Sequence, residues 1–171
     1  MKNRLLNNNS GYSLVELIIV IGIIAVLTGL AGFTISAIST SKATAAMQNF
    51  DTELSALSMR TKSQDGDNAI LLKREGEGYK IYYGTSSDGT AAKWSQTSTS
   101  AEASLNRVDI YYTKPGGSAT KLTGDMIIKF KKSDGSVLSG EGLYEFKKYG
   151  SNDAVGRITL NKASGSHYFG K

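Results

Sequence analysis

One carboxylate stands out by where it sits. Glu16 lies one turn into an aliphatic run, and after it no charged side chain appears until Lys42, leaving 25 uncharged residues from Leu17 to Ser41. An ionised acid carried to the centre of a bilayer costs roughly 2.5–3.5 kcal/mol, so Glu16 calls for a cationic partner. Other chemistry is sparse. The chain has no cysteine and one histidine, which removes thiol catalysis and cysteine-ligated metals and leaves little for any other transition-metal site. His167 stands beside Tyr168 and Phe169 near the C-terminus and reads as an edge-strand residue rather than a general base. Glu75 and Glu77 flank a turn and read as solvated. No GxSxG, HExxH, P-loop or paired dinucleotide glycines occur. The expectation is a non-enzyme, with no cofactor and no catalytic or metal-binding residue.

The elements that position Glu16 follow from periodicity. The uncharged residues would measure about 37 Å as a helix, enough to cross a hydrocarbon core of about 30 Å. Lys2 and Arg4 precede them, so the positive-inside rule keeps the N-terminus cytoplasmic and sends the rest of the chain outward. From Lys42 the pattern turns amphipathic: Ala43, Met47, Phe50, Leu54 and Leu57 recur at steps of four and three. One helix is expected from about Tyr12 to Thr61, its second half laid against a head. SQDGDN at 63–68 ends it as a solvated turn; its aspartates lack the distal bidentate glutamate of a calcium loop.

Beyond residue 68 the period becomes two. Tyr79, Ile81 and Tyr83 alternate with Lys80 and Tyr82; Val108, Ile110 and Tyr112 with Arg107, Asp109 and Tyr111; Ile128 and Phe130 with Lys129 and Lys131. Tyr144 and Phe146 alternate with Glu145 and Lys147, and Ile158 and Leu160 flank Thr159. Such alternation marks antiparallel strands with one wet face. The segment 85–104 holds ten serines or threonines in twenty residues and reads as a long mobile loop, with Trp94 pinned against the head. No internal repeat is evident. The fold class is α+β, a long N-terminal helix packed on a C-terminal antiparallel β-sheet head of one sheet or two.

Three readings compete for the N-terminal segment: a cleaved secretory signal, a plain membrane anchor, and a leader that is cut ahead of a retained helix. The residues Gly11-Tyr12-Ser13-Leu14-Val15-Glu16, followed by an unbroken apolar helix, resemble the class III leader of the type IV pilin and type II secretion pseudopilin family. The resemblance implies that prepilin peptidase cuts between Gly11 and Tyr12 and methylates the new α-amino group of Tyr12. It implies that Glu16, the fifth mature residue, pairs with the α-ammonium of a neighbouring subunit during assembly. Partners would be the peptidase, other pilin or pseudopilin subunits, and an assembly platform with its ATPase. Location would be the cytoplasmic membrane as a single pass, then a surface or envelope filament. The implied division is a leader at 1–11, a membrane and filament-core helix at 12–41, an amphipathic helix at 42–62 and a head at 63–171.

Tyr12 stands where the family more often has phenylalanine or methionine. No proline bends the helix, so Gly22, Gly29 and Gly32 are its softening points. A looser resemblance, resting on Ser133-Asp134-Gly135, Gly156-Arg157-Ile158 and Ser164-Gly165, links the head to the H-type minor pseudopilins.

Taken whole, 171 residues with slightly negative mean hydropathy and a formal charge of +5 look like an ordinary soluble domain. Without Lys2 and Arg4 the charge falls to +3. Residues 62–171 hold 16 basic and 12 acidic side chains. Lys129, Lys131 and Lys132 on one strand, with Lys147 and Lys148 on a partner strand and Arg157 nearby, would make a basic patch for nucleic acid. The same lysines on an edge strand also guard against aggregation, and that is the preferred reading.

Overall fold

The computed structural model describes residues 12–170, apart from the side chains of 30–36. Helix α1 runs from Leu14 to Ser63. The chain forms two compact units whose division, between Ala37 and Ile38, falls inside this helix. That is four residues before the charge boundary between Ser41 and Lys42.

In the first unit the aliphatic side chains from Leu14 to Leu27 are exposed. The apolar run's side chains are described through Gly29 and again from Ala37, and among the described residues no helix is long and apolar enough to cross a membrane. The hydroxyl of Thr28 is internally satisfied: its Oγ1 donates to the carbonyl of Ile24 at 2.8 Å, so it does not need water.

The second unit carries eleven strands: β1 (Asn68–Glu75), β2 (Gly78–Ser86), β3 (Trp94–Gln96), β4 (Ala103–Asn106), β5 (Val108–Thr113), β6 (Thr120–Lys121), β7 (Met126–Phe130), β8 (Val137–Ser139), β9 (Gly142–Lys148), β10 (Ala154–Leu160) and β11 (His167–Gly170). They make two antiparallel sheets. The first has the order β3-β2-β1-β7-β8, with β4 also on β2; the second has the order β11-β10-β9-β5-β6.

The helix closes the core between them. Ala43, Ala46, Phe50, Leu54 and Leu57 are buried, the stripe that the spacing predicts, and Met47 packs beside them. Phe50 sits with its ring centroid 5.0 Å from Tyr144 and 5.5 Å from Phe146, both tilted, on the inner face of β9. On the first sheet, the Tyr83 hydroxyl donates to Glu53 Oε2 at 2.9 Å, and the Arg60 guanidinium lies 3.9 Å over the Tyr83 ring. Burial, and then the Glu53 charge, push the Tyr83 phenol well above its ordinary range, so it stays a donor.

One strand went unpredicted and one expectation is corrected. Ala69, Ile70, Leu71 and Leu72 of β1 are all buried, because this central strand has the main core on one face and a small cluster of Ala69, Leu71, Ile127, Tyr82 and Trp94 on the other. A strand buried on both faces shows no alternation. The segment 85–104 is not one long loop: the end of β2, a 3-10 turn at Ala91–Lys93, β3 and the start of β4 order it, and both β3 and β4 pair with β2. Trp94 packs over Gly84, where a side chain would meet its ring.

Two hairpin turns share one construction. Lys131 N–H donates to Ser136 O at 2.7 Å and Gly135 N–H to Lys131 O at 2.9 Å; Asn161 N–H donates to Ser166 O and Gly165 N–H to Asn161 O, both at 2.9 Å. Gly135 and Gly165 take the left-handed backbone at φ +74° and +65°. The turns come from different sheets and touch: Val137 N–H donates to Lys162 O at 2.8 Å, and a side chain on Gly165 would collide with the Gly135 carbonyl.

Candidate functional site

The start of α1 is built from four residues. Ser13 is its N-cap, since the first helical bond runs from Leu17 N–H to Ser13 O at 3.1 Å. The Glu16 N–H donates to Ser13 Oγ at 3.2 Å, and the Ser13 N–H donates to Glu16 Oε2 at 3.3 Å. This reciprocal pair is a capping box, which satisfies two of the backbone donors that every helix start leaves open. An acid in the first turn also complements the positive end of the helix dipole. Tyr12 and Glu16 are exposed; Gly11 lies outside the described residues. The reading of the sequence singled out Glu16 for its charge but passed over Ser13, although Ser-x-x-Glu ahead of an apolar run is the signature of this box.

The basic residues are arranged otherwise than expected. β7 pairs with β1 and β8, whereas β9 pairs with β5 and β10, so Lys129 and Lys147 belong to different sheets. Lys129 is neither on an edge nor on a wet face. It is 5% exposed, and its ammonium donates to Asp67 Oδ1 and Ser86 O, each at 2.6 Å, and to Ser87 O at 3.1 Å. A buried cation is tolerated only with such partners. It clamps the start of β1 to the end of β2 and contributes nothing to a surface.

Lys131 and Lys132 lie beyond β7, in the turn, and Lys132 pairs with Asp65. Asp65 and Asp67, the aspartates of the helix-ending turn, thus each face a lysine. Lys147 pairs with Glu145 at 3.1 Å and covers the Tyr111 ring at 4.2 Å; Lys148 pairs with Asp153 at 3.4 Å. Arg157 is exposed on β10. The six residues are therefore dispersed, and among the described residues Lys129, Lys132, Lys147 and Lys148 each face an acid. Lys129→Met should lower stability by about 1–3 kcal/mol, because Ser86 O, Ser87 O and Asp67 lose a charged donor together. Thermal unfolding of the full chain in detergent checks this; a change below about 0.5 kcal/mol would contradict the clamp.

A second buried charge went unnoticed in the sequence. Asp109 on β5 is 2% exposed and accepts from Arg74 at 3.2 Å, from Lys121 at 2.8 Å and from the Gly150 N–H at 3.1 Å. Arg74 also reaches the Tyr79 hydroxyl at 3.1 Å, and Tyr79 donates to Leu122 O at 2.7 Å. Burial pushes the Asp109 carboxyl upward, but Lys121, the Gly150 N–H and Arg74 outweigh it and hold the group below the usual carboxylate range. A depressed carboxylate contributes stability above its unfolded value, near pH 3.9, and loses it as pH falls through its lower folded value. Asp109→Ala should cost about 2–4 kcal/mol at pH 7 and progressively less below about pH 4. Unfolding at pH 7 and pH 3 checks the sign.

His167, on the edge strand β11, holds that strand to the helix: Nε2 lies 3.1 Å from Ser55 Oγ and 3.3 Å from Asp51 Oδ1. One ring nitrogen serves both partners, while Nδ1 is buried without one. The arrangement is not the relay of a nucleophile, a base and an orienting acid, which needs both nitrogens.

Residues 6–32 match the family model of the prokaryotic N-terminal methylation motif. No curated protein and no solved structure matches the chain. The match includes Gly11, the capping box and most of the apolar run. The chain thus carries at its N-terminus a prokaryotic N-terminal methylation motif, which supports the resemblance to the type IV pilin and pseudopilin family.

Proposed function

We propose that this protein is a structural subunit, a pilin or pseudopilin, of a type IV pilus or type II secretion-like filament. It is made as a precursor, cut by prepilin peptidase between Gly11 and Tyr12, and methylated on the new α-amino group of Tyr12. The retained helix anchors it once in the cytoplasmic membrane with the head outside, until an assembly platform and its ATPase transfer it into the filament. The observation that carries this reading is the methylation motif at residues 6–32, with Glu16 the one acid in its apolar part. The 25 uncharged residues after Glu16 and the basic leader support the single pass and its direction.

A non-catalytic role fits the chemistry. The polar clusters of the head, around Lys129, Asp109 and His167, each tie one element to another. Mass spectrometry of the mature protein tests the proposal. The expected chain begins at Tyr12 and carries one added methyl group on its α-nitrogen. A chain beginning at Met1, or cut after the apolar run, would overturn it.

A further inference from the structure

Just past the end of the uncharged run, the second unit carries a groove of about 260 Å³. Lys42, Ala45, Ala46 and Asn49 line it from α1, and Ser104 and Asn106 line it from β4. The four helical residues recur at the three- and four-residue steps of one face. Ser104 and Asn106 flank the buried Leu105 and so share the other face of their strand.

The groove's chemistry is one-sided. Its walls offer an ammonium, two carboxamides and a hydroxyl, and no carboxylate. Among the described residues, none of these four polar side chains has a hydrogen bond or an ion pair. The acids of the adjoining β1–β2 turn are already matched, Glu75 to Lys80 at 2.8 Å and Glu77 to Arg107 at 3.3 Å. Unengaged donors around one cation suit an anion with several acceptor oxygens. Height along the helix narrows the choice. Ile38, 54% exposed and in the same unit, is the last large aliphatic side chain before Lys42. Four helical residues carry Lys42 about 6 Å beyond it. A headgroup layer is about 5–8 Å deep, so hydrocarbon that ends at Ile38 puts Lys42 among lipid phosphates.

We propose that this groove binds a phospholipid headgroup, Lys42 meeting the phosphate charge while Asn49, Ser104 and Asn106 donate to its oxygens. This rests on the single-pass reading, which brings Lys42 to the membrane surface. Anchored chain and lipid share that surface, so the headgroup is always at high local concentration. Its binding seats the head on the membrane until the subunit is drawn out.

The test uses the full chain in dodecyl maltoside micelles, whose headgroups carry no phosphate. One arm adds phosphatidylglycerol to the micelles and the other adds inorganic phosphate, while NMR follows the side-chain amides of Asn49 and Asn106. The lipid should shift both signals saturably, and inorganic phosphate should need at least about tenfold more for the same shift. Lys42→Gln should raise the lipid midpoint about tenfold, and Lys42→Arg, which keeps the charge, less than about threefold. Lys93→Gln, at an exposed lysine of the 3-10 turn, should leave the midpoint unchanged. Lys42 has no partner to lose, so its variants should unfold at the parent's temperature.

A chain that alkaline carbonate strips from membranes sinks the single-pass reading and this proposal with it. An anchored chain whose Asn49 and Asn106 signals ignore the lipid overturns the proposal alone. So does a Lys42→Gln titration that matches the parent, or inorganic phosphate that acts as well as the lipid.

Discussion

Glu16→Ala is expected to remove the protein from filaments while leaving the cut after Gly11 intact. Four residues separate Glu16 from the proposed scissile bond after Gly11, and that glycine is untouched. In the proposed filament, by contrast, each α-ammonium would lie among packed helices of low polarity, where its value depends on an opposite charge nearby. Taking one member from a buried ion pair costs about 3–5 kcal/mol, because the other is left charged and unpaired. That corresponds to a loss of incorporation of between about a hundredfold and a few thousandfold. Glu16→Gln refines the result. Its amide oxygen still accepts the Ser13 N–H, so the helix cap survives while the charge is gone, and incorporation should stay low. Immunoblots of sheared filaments against total mature protein provide the measurement. Parent-level incorporation of Glu16→Ala would refute the intersubunit pairing.

Phe50→Ala should be the most damaging single truncation in the head. Phe50 is fully buried, and its ring fills the space between the helix and the aromatic residues of β9. That space cannot close easily. The Tyr144 hydroxyl is tethered to Gly140 O at 2.5 Å and its ring packs 5.1 Å from Tyr112, so the wall facing Phe50 is held from behind. Large-to-small changes at sites that cannot collapse sit at the costly end of their range, about 3–5 kcal/mol for phenylalanine. For a unit of this size the midpoint of thermal unfolding should fall by about 10–20 °C. Phe50→Leu, which refills much of the volume, should recover about half. A fall of less than about 3 °C for Phe50→Ala would mean that the stripe is not what closes the core.

The sequence reveals what is local. The stripe from Ala43 to Leu57 and the alternations in β2, β5, β9 and β10 are periodic, and each became the element its period implies. The missed features are nonlocal or break the period. β1 is buried on both faces and so carries no wet residues to mark it. The short strands β3 and β4 lie in serine- and threonine-rich chain, where pairing with β2 overrides composition. Lys129 sits in an alternating segment, which suggests a wet face, but alternation does not say whether a strand is interior or what covers its second side. Arg74, Asp109 and Lys121 converge from β1, β5 and β6, so no spacing along the chain announces them. At the helix start the opposite holds: Ser13 and Glu16 are three residues apart, and the pattern was there to be read.

The paired turns at 131–136 and 161–166 govern where this protein will accept foreign sequence. They are the corner at which the two sheets are laced, through Val137 N–H and Lys162 O and through the close approach of Gly165 to Gly135. An epitope tag inserted in either would pry the sheets apart. The turn at Pro115-Gly116-Gly117 offers the reverse situation: it joins β5 to the edge strand β6, and nothing lies within 4 Å of where a Gly116 side chain would project. A label placed there should ride on the head without unlacing it, which makes that hairpin the site of choice for a fluorophore or antibody epitope to follow the subunit in living cells.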